Sequence, residues 1–346
     1  MKRYLVLENG SVFEGQSFGS PAAAGGEVVF NTGMTGYTEA ISDPSYKGQI
    51  LCQTFPLIGN YGIDENDFES ASPKIEGYVT GETCESPSHR SAFSTLHETL
   101  KKHGIPGISG IDTRHLTKIL RAKGAMLGAI SDATIMPEVK DPNQADLVSL
   151  VTVKEPVLCQ GAGPAIAVID CGAKENIIRS LLARGAKVLR LPASYSADEI
   201  MSYAPQGVVI SNGPGDPAMA KSTIAAVRQL MKYRIPIFGI CLGMQILALA
   251  MGGSTHKLKF GHRGQNHACI DVKTNRCYIT SQNHGYAVGN LPDYAEATML
   301  DVNDRTMEGM AHKTLPFFAV QFHPEASPGP RDTEFLFDKF IALVKK

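Results

Sequence analysis

The chain has 346 residues, which exceeds the usual size of one compact domain, so two domains are expected. Its 43% hydrophobic and 19% charged residues are typical of a soluble globular protein. The 33 basic and 34 acidic residues nearly balance without a long run of either sign, which argues against nucleic-acid binding, and no apolar stretch approaches the roughly 18 residues of a membrane span.

The first 150 residues mix helical and strand patterns. Residues 4–8 and 11–14 flank Asn9-Gly10, a pair typical of two-residue β-hairpin turns because both turn positions need positive φ. Apolar residues at helical spacing predict one helix before Gly104 and a second that begins after Asp112 and ends at Gly124. These residues are Phe93, Leu96 and Leu100 in the first helix and Leu116, Ile119 and Leu120 in the second. The first half is therefore expected to be a mixed α/β domain, residues 1–155.

A different pattern follows a predicted linker at residues 155–164, which is rich in Gly and Pro. Short apolar runs alternate with helical segments, one of which begins with a Ser196/Glu199 capping box. Strands are predicted at 165–170, 186–191, 207–210, 236–240 and 317–322, and further helices at 175–184, 223–233 and 242–251. This alternation predicts a doubly wound, mostly parallel sheet in a second domain, residues 164–346. In such sheets, ligands bind at the carboxyl ends of the strands.

Cys241 lies between the strand 236–240 and the helix after it. Gly239 and Gly243 flank it two residues to either side, which is the frame of a nucleophile elbow with Cys in place of Ser. The helix N-terminus favours the thiolate over the thiol. Cysteine is commonly a small buried hydrophobe, and that interpretation is kept for the six other cysteines, which lack this frame. Cys241 is therefore the candidate nucleophile.

A nucleophilic cysteine needs a base and a group that orients the base. His323 and Glu325 follow the predicted strand 317–322 and are separated by Pro324, which stiffens the turn. A single His-x-Glu is a weak signal, but an elbow cysteine in the same domain strengthens it. His323 is therefore the candidate base and Glu325 its orienting acid, as in the triads of hydrolases.

Attack on a carbonyl also requires an oxyanion hole. The loop 211–217 contains two glycines and two prolines, so its backbone can approach a ligand closely, although it could also be an ordinary tight turn. The amide groups of Gly215 and Leu242 are the candidate donors.

The seven cysteines are odd in number and contain no CxxC pair, so neither a disulfide framework nor a zinc ribbon is indicated. Glu8 follows the N-terminus too closely for a secretory signal. A reduced, cytoplasmic protein without membrane contact is expected.

Three motifs, NGPGDP at 212–217, GICLGMQ at 239–245 and HPE at 323–325, resemble those of class I (triad-type) glutamine amidotransferases, a resemblance that covers roughly residues 164–346. Further segments resemble the small chains of carbamoyl-phosphate synthase, four of them in the first half. They are 33–37, 43–46, 56–62, 109–114, 260–267 and 281–286. The resemblance implies a glutaminase that acts through a thioester and passes ammonia through an internal channel to a large subunit. That subunit would make carbamoyl phosphate from bicarbonate for arginine and pyrimidine synthesis.

The resemblance also implies a glutamine site of eight residues, which are Ser45, Gly213, Gly215, Leu242, Gln245, Asn283, Gly285 and Tyr286. Because Ser45 comes from the first half, the pocket is expected near the domain interface, and the first domain is expected to dock the large subunit. Met244 and Tyr286 stand where relatives often have His and Phe, and neither difference removes a catalytic group. No metal or cofactor is expected in this chain, which has no GxxxxGK[ST] loop, so ATP and Mg²⁺ are assigned to the large subunit.

Three alternatives stay open. The glutaminase of another class I amidotransferase, such as one for guanine-nucleotide synthesis, would share the second half only. A cysteine peptidase or chaperone of similar fold would not need the NGPGDP loop. A catalytically silent subunit would only support its partner allosterically.

Overall fold

The computed structural model describes all 346 residues, which form two compact units, Met1–Ala145 and Asp146–Lys346. The strands of the first unit are β1 (Lys2–Leu7), β2 (Val12–Gly19), β3 (Ala24–Asn31), β4 (Gln49–Gln53), β5 (Leu57–Ile58), β6 (Gly77–Val79), β7 (Glu82–Thr83), β8 (Pro106–Ser109) and β9 (Met126–Ser131). Its helices are α1 (Tyr37–Ser42), α2 (Leu96–Lys102) and α3 (Thr113–Lys123).

Seven of these strands close into a barrel in the order β1-β2-β8-β6-β4-β3-β9, while β5 and β7 form a separate parallel pair. Within the barrel, β3, β4, β6 and β8 run parallel in succession and the other pairs are antiparallel. The mixed α/β class expected for this half is confirmed, whereas the barrel was not predicted from the sequence.

The predicted hairpin joins β1 and β2, but its turn differs from the expected type. Leu7 N–H donates to Ser11 O at 2.9 Å, which leaves three residues in the loop. Gly10 has φ of 84°, whereas Asn9 keeps a negative φ. A three-residue loop that ends in a left-handed glycine needs only one positive φ, so the prediction of two was wrong.

Both predicted helices of the first unit are present. Helix α2 begins after Thr95 with a capping box to Glu98, so Phe93 lies outside it and is 76% exposed. Helix α3 begins at the predicted cap, where the Asp112 carboxylate accepts the His115 N–H at 2.8 Å, and it ends at Gly124.

The second unit contains ten strands and six helices. The strands are β10 (Val157–Cys159), β11 (Ala165–Asp170), β12 (Lys187–Pro192), β13 (Gly207–Ile210), β14 (Ile237–Ile240), β15 (Thr255–Asp271), β16 (Cys277–Val288), β17 (Ala295–Asp301), β18 (Met307–His312) and β19 (Phe317–Val320). The helices are α4 (Val148–Val151), α5 (Glu175–Ala183), α6 (Ala197–Met201), α7 (Lys221–Leu230), α8 (Leu242–Ala250) and α9 (Phe335–Val344).

All ten strands belong to one sheet, in the order β10-β12-β11-β13-β14-β19-β18-β16-β15-β17. The five neighbouring strands β12, β11, β13, β14 and β19 are parallel to one another, as predicted. Strand β10 at one edge and strands β15 to β18 at the other add antiparallel pairings. The predicted α/β class is confirmed, but only the central half of the sheet is parallel.

The break between the units falls ten residues before the predicted end of the first domain at residue 155. The segment predicted as a linker contains β10, in which Val157 pairs with Arg190 of β12. The edge of the sheet offers this segment partners for its backbone groups, which explains why a Gly- and Pro-rich stretch is ordered here.

Both faces of the parallel strands are buried. Ala167 and Ile169 of β11 face one apolar cluster, which includes residues of α7 and α8, and Ile166 and Val168 face a second, which includes residues of α5 and α9. Helices on both faces explain why these strands are apolar throughout rather than alternating. The carboxyl ends of the strands remain as the edge at which polar side chains collect.

None of the helices combines the length and the hydropathy that crossing a bilayer would require.

Candidate active site

Cys241 occupies a sharp turn between β14 and α8. Its φ is 53°, a conformation that L-residues rarely adopt, and the residue is 2% exposed. A Cβ at Gly239 would lie 2.6 Å from the Gly243 carbonyl oxygen, and a Cβ at Gly243 would lie 2.0 Å from that of Ile210. Both obstacles are backbone atoms, so the turn requires glycine at both positions. The predicted elbow is therefore present.

His323 and Glu325 follow β19, the strand next to β14. The His323 Nδ1–H donates to Glu325 Oε1 at 2.7 Å, and both side chains are buried. Because the carboxylate can only accept, Nδ1 carries the proton and Nε2 is the atom free to exchange one. Nε2 itself makes no hydrogen bond of ordinary geometry.

The electrostatic surroundings of His323 favour its charged form. Burial alone would lower the pKa of His323, but the Glu325 carboxylate and the Cys241 sulfur outweigh burial and raise this pKa to about 10. The structure therefore brings together the three residues that the sequence assigned to a triad.

Lys174, which sequence reasoning missed, completes this group. Its ammonium lies 3.2 Å from Glu325 Oε1 and donates to the Ala326 carbonyl at 2.5 Å, and its side chain is 3% exposed. Burial would raise the pKa of Glu325, but Lys174 and His323 outweigh burial and lower this pKa to about 2. The one sequence feature that could have indicated Lys174 is its position, because it follows the carboxyl end of β11, at the edge of the sheet where site residues collect.

The loop 211–217 packs against the start of α8. A Cβ at Gly213 would lie 2.7 Å from the Leu242 side chain and 2.2 Å from the Cys171 carbonyl oxygen, so this position requires glycine. Gly215 has φ of 84°. The amides of Gly215 and Leu242 have no acceptor within the protein. Both predicted oxyanion donors are therefore unpaired.

The other predicted glutamine contacts of the second unit lie on α8 and β16. The Asn283 carbonyl oxygen is 3.6 Å from the Cys241 sulfur. Gln245 Nε2 donates to the Tyr286 carbonyl at 2.8 Å and to Gln321 Oε1 at 3.0 Å. Gln245 thus bonds α8 to β16, and its Oε1 is left for a ligand; Gly285 lies on β16 between Asn283, which borders the Cys241 sulfur, and Tyr286.

Ser45 lies in the first unit, in the short 3₁₀ turn Pro44–Tyr46. It is 7% exposed, and its N–H donates to Asp43 Oδ1 at 2.9 Å. Its part in a glutamine pocket stays a prediction.

Family comparisons agree with this arrangement. Residues 167–343 match the family "Glutamine amidotransferase class-I", and residues 5–130 match "Carbamoyl-phosphate synthase small chain, CPSase domain". The second unit thus contains a class I glutamine amidotransferase domain.

Full-length relatives narrow this class. The chain is 49% identical to the carbamoyl phosphate synthase small chain of Clostridium perfringens (strain 13 / Type A), across 99% of both chains. It is also 49% identical to the pyrimidine-specific small chain of Bacillus subtilis (strain 168), across 100% of this chain and 96% of that protein. The chain therefore belongs to the family of carbamoyl phosphate synthase small chains.

Among solved structures, a glutamine amidotransferase of Thermotoga maritima is 19% identical. The likeness covers 47% of this chain and 77% of that one, with a TM-score of 0.38. The family assignment does not depend on this likeness.

Proposed function

We propose that the chain is the glutaminase subunit of a carbamoyl-phosphate synthase, and that it releases ammonia from glutamine with Cys241, His323 and Glu325. The proposal is carried by one observation: an imidazole whose Nδ1 is bonded to a buried carboxylate at 2.7 Å, next to a cysteine at a strained strand-to-helix turn. A nucleophile, a base and an orienter of the base are the parts that this chemistry requires.

In the first step, the Cys241 thiol gives its proton to His323 Nε2, and the thiolate attacks the side-chain amide carbon of glutamine. The charge that develops on the amide oxygen would be stabilised by the unpaired amides of Gly215 and Leu242, each typically worth ~10²–10³ in rate. The carbon–nitrogen bond then breaks, and the imidazolium of His323 protonates the departing ammonia. A γ-glutamyl thioester remains on Cys241.

In the second step, neutral His323 takes a proton from water, and the resulting hydroxide attacks the thioester. The carbon–sulfur bond breaks, glutamate leaves, and the proton returns to the sulfur. The sum is glutamine plus water giving glutamate plus ammonia. Glu325 keeps its charge throughout, because Lys174 beside it holds the pKa of this carboxyl far below neutrality.

We further propose that the ammonia passes through an internal channel to the large subunit of the synthase, as the family resemblance implies. There, ATP and Mg²⁺ would support the formation of carbamoyl phosphate from bicarbonate, for arginine and pyrimidine synthesis. The first unit would dock this large partner and supply Ser45 to the glutamine pocket, and the complex would work in the cytoplasm.

Synthesis by the reconstituted complex tests this function. In the presence of the large partner, Cys241→Ser should abolish carbamoyl phosphate formation from glutamine and leave formation from ammonia near the wild-type rate. Glutamine-dependent synthesis at a wild-type rate by Cys241→Ser would refute the role of this cysteine. A wild-type chain that hydrolyses no glutamine would instead support a silent subunit.

A further inference from the structure

A buried polar cluster lies on strands β15, β16 and β18 of the second unit, outside the group of Cys241, His323 and Glu325. At its centre is Glu308 of β18, which is fully buried. Its Oε2 accepts from Gln282 Nε2 at 2.8 Å, and its Oε1 accepts from His262 Nδ1 at 3.3 Å. His284 Nε2 lies 3.7 Å from the same Oε1. A buried carboxylate is costly unless it is compensated, so the bonds from Gln282 and His262 fix its place.

The donor set could hold a metal ion, since ligand atoms of His262, His284 and Glu308 lie within 4.8 Å of one another. The hydrogen bonds favour a different state. His262 Nε2 also bonds to Asp304 Oδ2 at 2.8 Å, so both of its ring nitrogens face carboxylate oxygens. Carboxylates only accept, so His262 is an imidazolium and has no lone pair for a metal. The cluster is therefore a network of charged hydrogen bonds.

Strand β16, which borders Cys241, carries both Gln282 and the buried His284. His284 Nδ1 lies 2.8 Å from the Tyr286 carbonyl oxygen, which only accepts, so Nδ1 carries the proton. The same carbonyl accepts from Gln245 of α8. Burial lowers the pKa of His284, so its ring is neutral and its Nε2 makes no hydrogen bond to Glu308; the bond from β16 to Glu308 is that of Gln282 Nε2. Residues 282–286 are thus held by Glu308 on one side and by the elbow helix on the other.

A second connection runs from Glu308 to the strand of the candidate base. The Glu308 carbonyl accepts the N–H of Gln321 at 2.9 Å, and Gln321 Oε1 accepts from Gln245. Gln321 stands two residues before His323. Glu308 therefore contacts, through its side chain and its backbone, the two segments that flank the cysteine.

We infer that Glu308, together with His262 and Gln282, is a positioning group that sets residues 283–286 of β16 against Cys241 for glutamine binding. The inference rests on the proposed glutaminase function. Glu308 itself does not touch the reacting atoms. It acts through the carbonyl groups of Asn283 and Tyr286, one beside the sulfur and the other bound to α8.

The substitution Glu308→Gln tests this inference in the full-length chain, because it keeps the shape of the side chain and removes its charge. The new amide nitrogen would face either Gln282 Nε2 or His262 Nδ1, both of which are donors, so one contact of the network is lost. The expected result is a KM for glutamine raised roughly 10-fold, about the effect of one hydrogen bond, with kcat within about 3-fold of wild type. A merely structural role would lower the folded fraction and hence kcat, and leave KM unchanged.

Asp304→Asn is the matched control. Asp304 binds the same His262 ring from the outer side, and its side chain is 47% exposed and makes no bond to β16. This variant should keep KM within about 2-fold of wild type. Melting temperatures of both variants would show that they are folded.

Glutamine binding without turnover separates the inference from the function on which it rests. In the Cys241→Ser background, calorimetry should give a Kd for glutamine that Glu308→Gln raises by a similar factor. A Kd within 2-fold of the parent, or an equal rise with Asp304→Asn, would overturn the positioning role. A Cys241→Ser chain that binds no glutamine at all would overturn the proposed function instead.

Discussion

Lys174→Met removes the buried cation beside Glu325, and its cost can be estimated from the structure. The two charges lie 3.2 Å apart with side chains 3% and 0% exposed, so neither can recover water when the other is lost. Removing one partner of such a pair typically costs about 3–5 kcal/mol. His323 remains bonded to the carboxylate at 2.7 Å, so we expect the lower end, about 3 kcal/mol. For a domain of about 200 residues, that corresponds to a fall in Tm of about 6–12 °C.

The pH dependence of this loss has a definite sign. Burial raises the pKa of Glu325, but Lys174 and His323 outweigh it and depress the folded-state pKa to about 2, below the ordinary value of 4.5. A depressed carboxyl pKa stabilises the fold above pH 4.5, and this stabilisation is lost as the pH falls toward 2. The difference in unfolding free energy between wild type and Lys174→Met should therefore have its full value at neutral pH and become smaller as the pH falls from 4.5 to 2.

Urea denaturation of the wild type, both single variants and the double variant Lys174→Met/Glu325→Gln provides the assay. The double variant removes both charges, so it should be more stable than Lys174→Met alone. Lys174→Met also removes the donor to the Ala326 carbonyl, but it does so equally in the single and the double variant. This loss cancels in the double-mutant cycle, so the coupling free energy reports the charge pair alone. A single Lys174→Met variant within about 1 kcal/mol of wild type, with no coupling in the cycle, would refute the reasoning.

Three further predictions concern the elbow, the base and the first unit. Gly243→Ala should lower the free energy of unfolding by about 3 kcal/mol, because its Cβ would lie 2.0 Å from a carbonyl oxygen. Gly185→Ala, whose Cβ would have no neighbour within 4 Å, should cost only the strain of its positive φ, about 1–2 kcal/mol. Equal unfolding free energies for the two variants would count against the packing argument. His323→Asn should abolish glutaminase turnover. Glu325→Gln, which leaves the imidazole in place, should retain more glutaminase activity than His323→Asn. Turnover at the wild-type rate by His323→Asn would exclude His323 as the base. Ser45→Ala should raise KM for glutamine roughly 2- to 13-fold, the value of one neutral hydrogen bond, and an unchanged KM would make Ser45 only a turn residue.

The parallel half of the second unit could be predicted because its signals are local. Each strand is a short apolar run with burial on both faces, and each helix has a cap or spacing of its own, as at Ser196 and Glu199. The elbow could be predicted for the same reason, since Gly239, Cys241 and Gly243 lie within five residues. Motif resemblance then supplied Asn283, Gly285 and Tyr286, which carry no local signal.

The barrel and the antiparallel strands could not be predicted in this way. The seven strands of the barrel are short and join distant segments, such as β2 with β8. Strand β15 carries both exposed and buried polar residues, including His262 and Arg263, so its pattern does not alternate cleanly. The burial of His262 depends on partners such as Glu308, more than forty residues away.

Lys174 shows a related limit for the site. A lysine after a strand is ordinarily a solvated surface residue. Its burial follows from Glu325, 151 positions later, which no periodicity connects to it. Local sequence motifs therefore located the nucleophile and its base, whereas the lysine that keeps Glu325 charged became visible only in the structure.

The most direct test of the central claim is to detect the covalent intermediate. Full-length protein mixed with glutamine, quenched in acid and digested, should yield a γ-glutamyl adduct on the peptide that contains Cys241, as found by mass spectrometry. The adduct should be absent from Cys241→Ser and from wild type mixed with glutamate. Glutamine turnover without an adduct on this peptide under any quench time, or with the adduct on another of the seven cysteines, would contradict the assignment of Cys241 as the nucleophile.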